Sequence, residues 1–273
     1  MTLAADPVLA VAVRAAQRAA SVLCDTSRDL KRLPLYSREH RDMVAAADAD
    51  AEDAIVATIR AAFPDHAVLG AESGHIAGAR EGSGFKWIVD PIDGTANFVH
   101  GFPYYAISIA LARGTEITHA VVLDPVHNEC FIAARDQGAE LDGTPLCVST
   151  CTALADALVA TAIPARETPQ LAPYLPIFHA VLSQCGGVRR AGACSLDLAN
   201  LAAGRLDGFW VTSVSGWDVA AGALIVREAG GRVGNFAGAS DFLRSDEVIA
   251  AAPGVFNGLR EAIVVSRQPK APA

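Results

Sequence analysis

Over residues 7–29 apolar and polar positions recur with a helical period. Arg14, Gln17 and Arg18 share one helical face, which predicts an amphipathic surface helix. The polar stretch SREHRD follows. Asp48 then opens a second predicted helix, DADAEDAIVATIRAAF, with acids at its start and Arg60 near its end, as the helix dipole favours. HAVLG and FKWIVD are short apolar runs that predict strands. YAISIALARG, THAVVLDP and ECFIAARD are spaced as antiparallel strands of a meander, and ELDGTPL carries an Asp-Gly hairpin turn. After about Cys151 strand-like and helical segments alternate. ALVATAI leads to a helix through YLPIFHAVLSQC, then GVRRAG, a helix SLDLANLAAG, DGFWV, a helix GWDVAAGALIVREAGG, and DEVIAAAP. The first half has α+β character and the second α/β character. Two subdomains, 1–150 and 151–273, are expected to share one interface with the functional site between them.

Composition narrows the class. Of 273 residues, 52% are hydrophobic and 19% charged, enough for a sizeable core and far from a disordered chain. A net charge of -8 makes nucleic acid an unlikely partner, because duplex binding usually shows a basic face. It leaves room for an anionic substrate held through a metal. The N-terminal stretch lacks a basic leader region, and its apolar runs are too short to span a bilayer. The expected protein is soluble and cytoplasmic. None of the six cysteines forms a Cys-x2-Cys pair, and the Cys147–Cys151 spacing has no second ligand pair nearby. Free thiols are expected.

The stretch WIVDPIDGTANF, residues 87–98, concentrates the chemistry. A buried strand ends in Asp90 and Asp93, two like charges that repel unless something positive lies between them. Pro91 lacks an N–H and should end the ladder, leaving Asp90 at the strand tip. The Ile92 carbonyl adds a third oxygen. Gly94 lets the backbone approach a ligand, and Thr95 adds a hydroxyl and starts a short helix whose N–H groups suit a phosphate. Hard oxygens with no histidine or cysteine nearby point to Mg2+ or a similar cation. The alternative is an Asx-turn with solvated aspartates.

WIVDPIDGTANFVHGFP resembles the signature of the inositol monophosphatase family, within the wider group that includes fructose-1,6-bisphosphatases. GWDVAAGALIVREAGG resembles that family's second signature, Trp-Asp-x-Ala-Ala-Gly, and the likeness extends over nearly the whole chain. The resemblance implies a layered αβαβα sandwich, usually dimeric. It implies metal ligation by Asp90, the Ile92 carbonyl, Asp93 and Asp218. It makes Thr95 the residue that orients the attacking water, with Asp48 as its hydrogen-bond partner. Gly94, Thr95 and Asp218 would also contact substrate. The implied reaction is two-metal hydrolysis of a phosphomonoester, an inositol-1-phosphate-like polyol phosphate, with Mg2+ as cofactor. Without the first motif, Asp48 and Asp218 are better explained as acids supporting helix starts.

Two positions depart from the family pattern. Where relatives carry adjacent glutamates, this chain reads GAESG, so Ala71 takes the place of a direct metal ligand and Glu72 that of its neighbour. Either Glu72 swings in as a ligand, or one metal site is weakened, or activity is lost. Val211 stands where many members place a glutamate against substrate hydroxyls; Ser213 and Ser215 could donate instead. Arg189 and Arg190 could reach a substrate or line a subunit interface. The other functional class is a catalytically weak member acting as a protein- or RNA-associated regulator. Ala71 favours it, and the intact Asp90, Asp93, Thr95 and Asp218 favour the enzyme.

Overall fold

The computed structural model describes residues 3–35, 37–78, 83–164, 169, 171–240, 243 and 245–267. Two long helices come first, α1 (Pro7–Leu30) and α2 (Arg38–Ala62). An eight-stranded sheet follows. It comprises β1 (Ala67–Gly70), β2 (Gly74–Ile76), β3 (Phe85–Asp93), β4 (Ala106–Arg113), β5 (Glu116–Asp124), β6 (Glu129–Ala134), β7 (Gly138–Leu141) and β8 (Thr144–Pro145), ordered β2-β1-β3-β4-β5-β6-β7-β8. The short helix α3 (Thr95–His100) lies between β3 and β4. The second sheet contains β9 (Leu158–Thr161), β10 (Gly187–Arg189), β11 (Gly208–Thr212), β12 (Arg232–Gly234) and β13 (Glu247–Ala251), ordered β10-β9-β11-β13-β12. Four helices accompany it: α4 (Leu171–Leu182), α5 (Cys194–Ala202), α6 (Gly216–Glu228) and α7 (Pro253–Ser266).

Strand alternation sorts the side chains into an αβαβα sandwich. Trp87 and Val89 of β3, with Ile107, Ile109 and Leu111 of β4, pack against α1 and α2. The opposite face of the same strands carries Ile88, Ala106, Ala110 and Ala112, which pack with α5 and α6. The small side chains let the two central helices lie close to the sheet. Phe209, Val211, Val248 and Ala250 cover those helices from the second sheet. Trp210 and Ile249, pointing the other way, pack with Tyr174 and Ile177 of α4 and Phe256 and Leu259 of α7. The two sheets fall on either side of residue 150, and one apolar cluster centred on α5 and α6 joins them.

Most expected elements are present. Arg14, Gln17 and Arg18 all lie on the exposed face of α1, whose other face buries Leu9, Ala12, Ala15, Ala16 and Ala19. By length and composition α1 is apolar enough to cross a membrane, but in this fold that apolar face packs in the outer cluster. The meander and its Asp142–Gly143 turn stand as expected, with Leu141 paired to Thr144. Two expectations need correction. The second helix starts at Arg38, with the Ser37 side chain accepting from the His40 N–H, so Asp48 lies mid-helix. Strand β3 does not stop at Asp90 but continues through Pro91 to Asp93.

Candidate active site

The end of β3 sets the geometry. Asp90 pairs with Ser108 of β4 and Asp93 with Ala106, across an irregularity that holds Pro91 and Ile92. In a regular strand, residues three apart face opposite sides. The bulge absorbs one residue, so both aspartates share the face of Ala106 and Ser108, toward α5 and α6. Ile92 turns its side chain into the outer core, and its carbonyl accepts the Thr95 hydroxyl at 3.0 Å. Gly94 then adopts φ 96°, and a Cβ there would lie 3.1 Å from the Tyr104 carbonyl oxygen and 3.2 Å from the Ala193 Cβ. Glycine is required at this turn for both conformation and space.

Helices from the second half of the chain close over this end. The first two residues of α5 grip Asp93. Cys194 N–H donates to its Oδ1 at 3.2 Å, and Ser195 donates to its Oδ2 from both the backbone N–H and the hydroxyl, each at 2.6 Å. Asp218, in the first turn of α6, accepts from the Ser215 N–H at 3.0 Å and lies within hydrogen-bond reach of Asp90. The Ser108 hydroxyl, beneath Asp90, donates to the Trp217 carbonyl at 3.4 Å and anchors the start of α6.

Asp48 approaches from α2. It is only 8% exposed, which removes its reading as a solvated helix-start acid. Its Oδ1 is buried without a partner, and the Glu72 side chain is within hydrogen-bond reach. One helical turn on, Glu52 accepts the N–H groups of Glu72 and Ser73 at 3.0 and 2.9 Å. It fixes the turn that presents Glu72. Gly70 sits directly over the Glu52 carboxylate, with which a Cβ there would collide. Among the described residues, no three of these side chains stand at ready-made ligand spacing; they meet in pairs, Asp90 with Asp218 and Asp48 with Glu72.

The electrostatics record the crowding. Burial, then Glu72 and Glu52, push Asp48 up to about 7. Burial also lifts Asp93 to about 7 against the lowering effect of its Ser195 and Cys194 donors. Asp90 lies well above the usual carboxylate range, through burial and the charges of Asp93, Asp218 and Asp48. Burial raises Asp218 as well. Only oxygen ligands are present, several of them buried like charges, and one buried oxygen lacks a partner. These residues fit a hard divalent cation.

Other expected site residues lie elsewhere or have other partners. Thr95 is exposed at the mouth, and its hydroxyl donates to Ile92 rather than to Asp48. Arg189 is exposed on the edge strand β10, with its guanidinium on the Val188 carbonyl. Arg190 is also exposed, but its guanidinium lies near Gly192 and close enough to Asp197 to offset part of that acid's burial. Val211 is 2% exposed and packs in the central core, while Ser213 beside it is exposed with φ 60°. Glu52, Ser195 and Asp197, whose Oδ1 accepts the Tyr104 hydroxyl at 2.6 Å, were not anticipated. Glu52 had a signal, standing four residues after Asp48 on one helix.

Residues 4–268 match the model of the inositol monophosphatase family. The chain belongs to this family. It is 44% identical over 256 residues to the Nus factor SuhB of Pseudomonas aeruginosa, covering 93% of this chain and 94% of that protein. Among solved structures it resembles the extragenic suppressor protein suhB from Bartonella henselae, with TM-score 0.85 and 37% identity, covering 95% and 100% of the two chains. It also resembles the inositol monophosphatase from Anabaena (Nostoc) sp. PCC 7120, with TM-score 0.84 and 32% identity, covering 94% and 95%. This family of phosphatase-like αβαβα sandwiches accounts for the layering seen here.

The raised carboxylates have a consequence for stability without metal. Unfolded aspartates titrate near 3.9. Folded Asp48 and Asp93 titrate near 7, so between these values the folded chain holds the extra protons. Their stabilising effect is complete below the unfolded value and lost as pH rises through about 7. In EDTA, the melting temperature should be lower at pH 8 than at pH 5.5, and Asp48→Asn should flatten that fall. An Asp48→Asn protein with the parent's pH profile in thermal melts would contradict this account.

Proposed function

We propose that the chain is a Mg2+-dependent phosphomonoesterase acting on a small phosphorylated metabolite of the polyol phosphate type. The observation that carries this reading is the bulge that turns Asp90 and Asp93 to one face, with Asp218 beside Asp90 and Asp48 and Glu72 adjoining. Asp90, Asp93, Asp218 and the Ile92 carbonyl would hold the metal, with Glu72 supporting Asp48. Bound Mg2+ would supply charge neutralisation at phosphorus and at the leaving oxygen, and acidify a water. The chain's own residues do the rest. Gly94 admits a phosphate to the backbone N–H groups of Gly94 and Thr95. Thr95, exposed and anchored on the Ile92 carbonyl, orients water, and Asp48 with its free oxygen is available to receive a proton. Val211 leaves no acid to bind substrate hydroxyls, which leaves Ser213 as the exposed donor at that edge. Arg189 enters this scheme only if substrate extends to the edge of β10.

A second reading has its own support. Relatives similar over nearly the whole chain bear the name Nus factor, and Ala71 removes a carboxylate that the family pattern supplies. On that reading the chain is a regulator associated with protein or RNA, and the net-charge argument against nucleic acid loses weight. The two readings separate on purified protein. A panel of phosphomonoesters assayed at several Mg2+ concentrations should show hydrolysis that EDTA abolishes. No turnover at any Mg2+ concentration would leave the regulator.

A cytoplasmic homodimer belongs to the same proposal. Leu175 and Leu182, two helical turns apart on α4, are 56% and 47% exposed, and Phe102 and Ile163 are also exposed. On α4 the two leucines form an apolar stripe that a second copy of the chain could cover. Light scattering at micromolar concentration should give twice the chain mass, and a monomer mass would refute the dimer.

A further inference from the structure

We infer that Ser195 is a positioning residue for Asp93, and that its hydroxyl sets how tightly this site holds a divalent cation. The inference rests on the metal-dependent reading above and adds to it a residue outside both signature motifs.

Ser195 is fully buried in α5. A serine in the first turn of a helix ordinarily bonds back to nearby backbone. This one instead reaches across to a strand 102 residues earlier in the chain, and its hydroxyl donates to Asp93 Oδ2 at 2.6 Å. That length falls in the range of charge-assisted O–H···O bonds. The Ser195 backbone N–H takes the second acceptor direction on the same oxygen, at 2.6 Å. Cys194 N–H takes one direction on Oδ1, at 3.2 Å. A carboxylate offers about four lone-pair directions. Three are occupied from α5, and the one left free is on Oδ1. The hydroxyl completes a clamp that fixes the side-chain torsion and presents that single direction to a cation. The clamp comes from the second half of the chain, whereas Asp90 and Asp93 come from the first, so the site is set only when α5 is docked. Groups that orient a metal's ligands typically change metal affinity ~10–100-fold when removed.

The test is Ser195→Ala in the full-length protein. Alanine keeps α5 and both backbone donors and removes only the hydroxyl. Three quantities are measured: Mg2+ affinity by calorimetry, melting temperature in EDTA, and kcat and KM at saturating Mg2+. We expect Mg2+ binding weaker by roughly tenfold or more, a modestly lower EDTA melting temperature from the lost buried hydrogen bond, and KM at saturating Mg2+ unchanged. A merely structural serine would lower the EDTA melting temperature and leave Mg2+ affinity alone. Affinity within twofold of the parent overturns the inference. Should the alanine variant not fold, Ser195→Cys keeps the shape with a weak donor, and the same criteria apply. A parent protein that binds no Mg2+ would instead remove the metal reading itself.

Discussion

Asp93→Asn should lower phosphatase activity at millimolar Mg2+ by at least ~100-fold, while its EDTA melting temperature at pH 8 stays at or above the parent's. The first half of that expectation follows from charge. Removing a group that merely orients a ligand costs ~10–100-fold in metal affinity, and a carboxylate that binds the metal directly should cost at least as much. The second half follows from the crowding at the end of β3. Burial holds Asp93 up at about 7, so at pH 8 the metal-free protein carries a buried charge it would rather neutralise. Asparagine is neutral and nearly isosteric. Its carbonyl can keep both Ser195 donors, and its amide then faces only the longer Cys194 N–H contact of 3.2 Å. Losing one acceptor there costs about 1–2 kcal/mol, which the removed charge offsets. Wild-type turnover across Mg2+ concentrations would mean that Asp93 does not bind the metal. Lost activity together with a collapsed melting temperature would mean that the carboxylate matters to the fold instead.

The string Asp-Pro-Ile-Asp-Gly-Thr could be read for its chemistry without a structure, because the residue types and their order carry it. How Asp90 and Asp93 come to share a face could not. Their spacing predicts opposite faces, and only the ladder with Ala106 and Ser108 shows the bulge. Asp48 was legible as a residue but not in its place. The polar residues 38–42 look like a loop, yet Ser37 caps a helix that includes them, so Asp48 lies mid-helix, where it is buried. The three-residue strands β2 and β12 are too short to show any period. Helix α7 was not among the predicted elements, although its signals stand in the sequence. Pro253 stands at its first turn, and Val255, Phe256, Leu259, Ala262 and Ile263 repeat on one face. Ser195 was silent, since nothing local marks a serine whose partner lies 102 residues away. The layering followed from strand alternation and the family pattern together, because alternation shows that both faces are buried but not which helices cover them.

Ala71→Glu should reduce the Mg2+ concentration needed for half-maximal activity by roughly tenfold, about 1.4 kcal/mol. Strand register places the new side chain. β1 runs parallel to β3 with Leu69 opposite Ile88 and Gly70 opposite Val89, and the Ala71 N–H continues the ladder to the Val89 carbonyl at 3.1 Å. Position 71 therefore falls beside Asp90, and alternation gives it the Ile88 and Asp90 face. Glu72, one residue on, is turned elsewhere. Glu52 pins its backbone, and its carboxyl reaches Asp48, while the charges felt by Asp90 come from Asp93, Asp218 and Asp48. Glu72 in this geometry supports Asp48 and does not replace the missing ligand. Glu72→Gln should accordingly raise the Mg2+ requirement less than Ala71→Glu lowers it. Near-complete loss in Glu72→Gln, with no gain in Ala71→Glu, would show that Glu72 moves onto the metal when it binds. The added carboxylate should also lower the EDTA melting temperature at pH 8, since it joins buried like charges, and raise it relative to the parent once Mg2+ is present. Identical Mg2+ dependence in parent, Ala71→Glu and Glu72→Gln would mean that position 71 does not face the cation, and the register argument would be wrong.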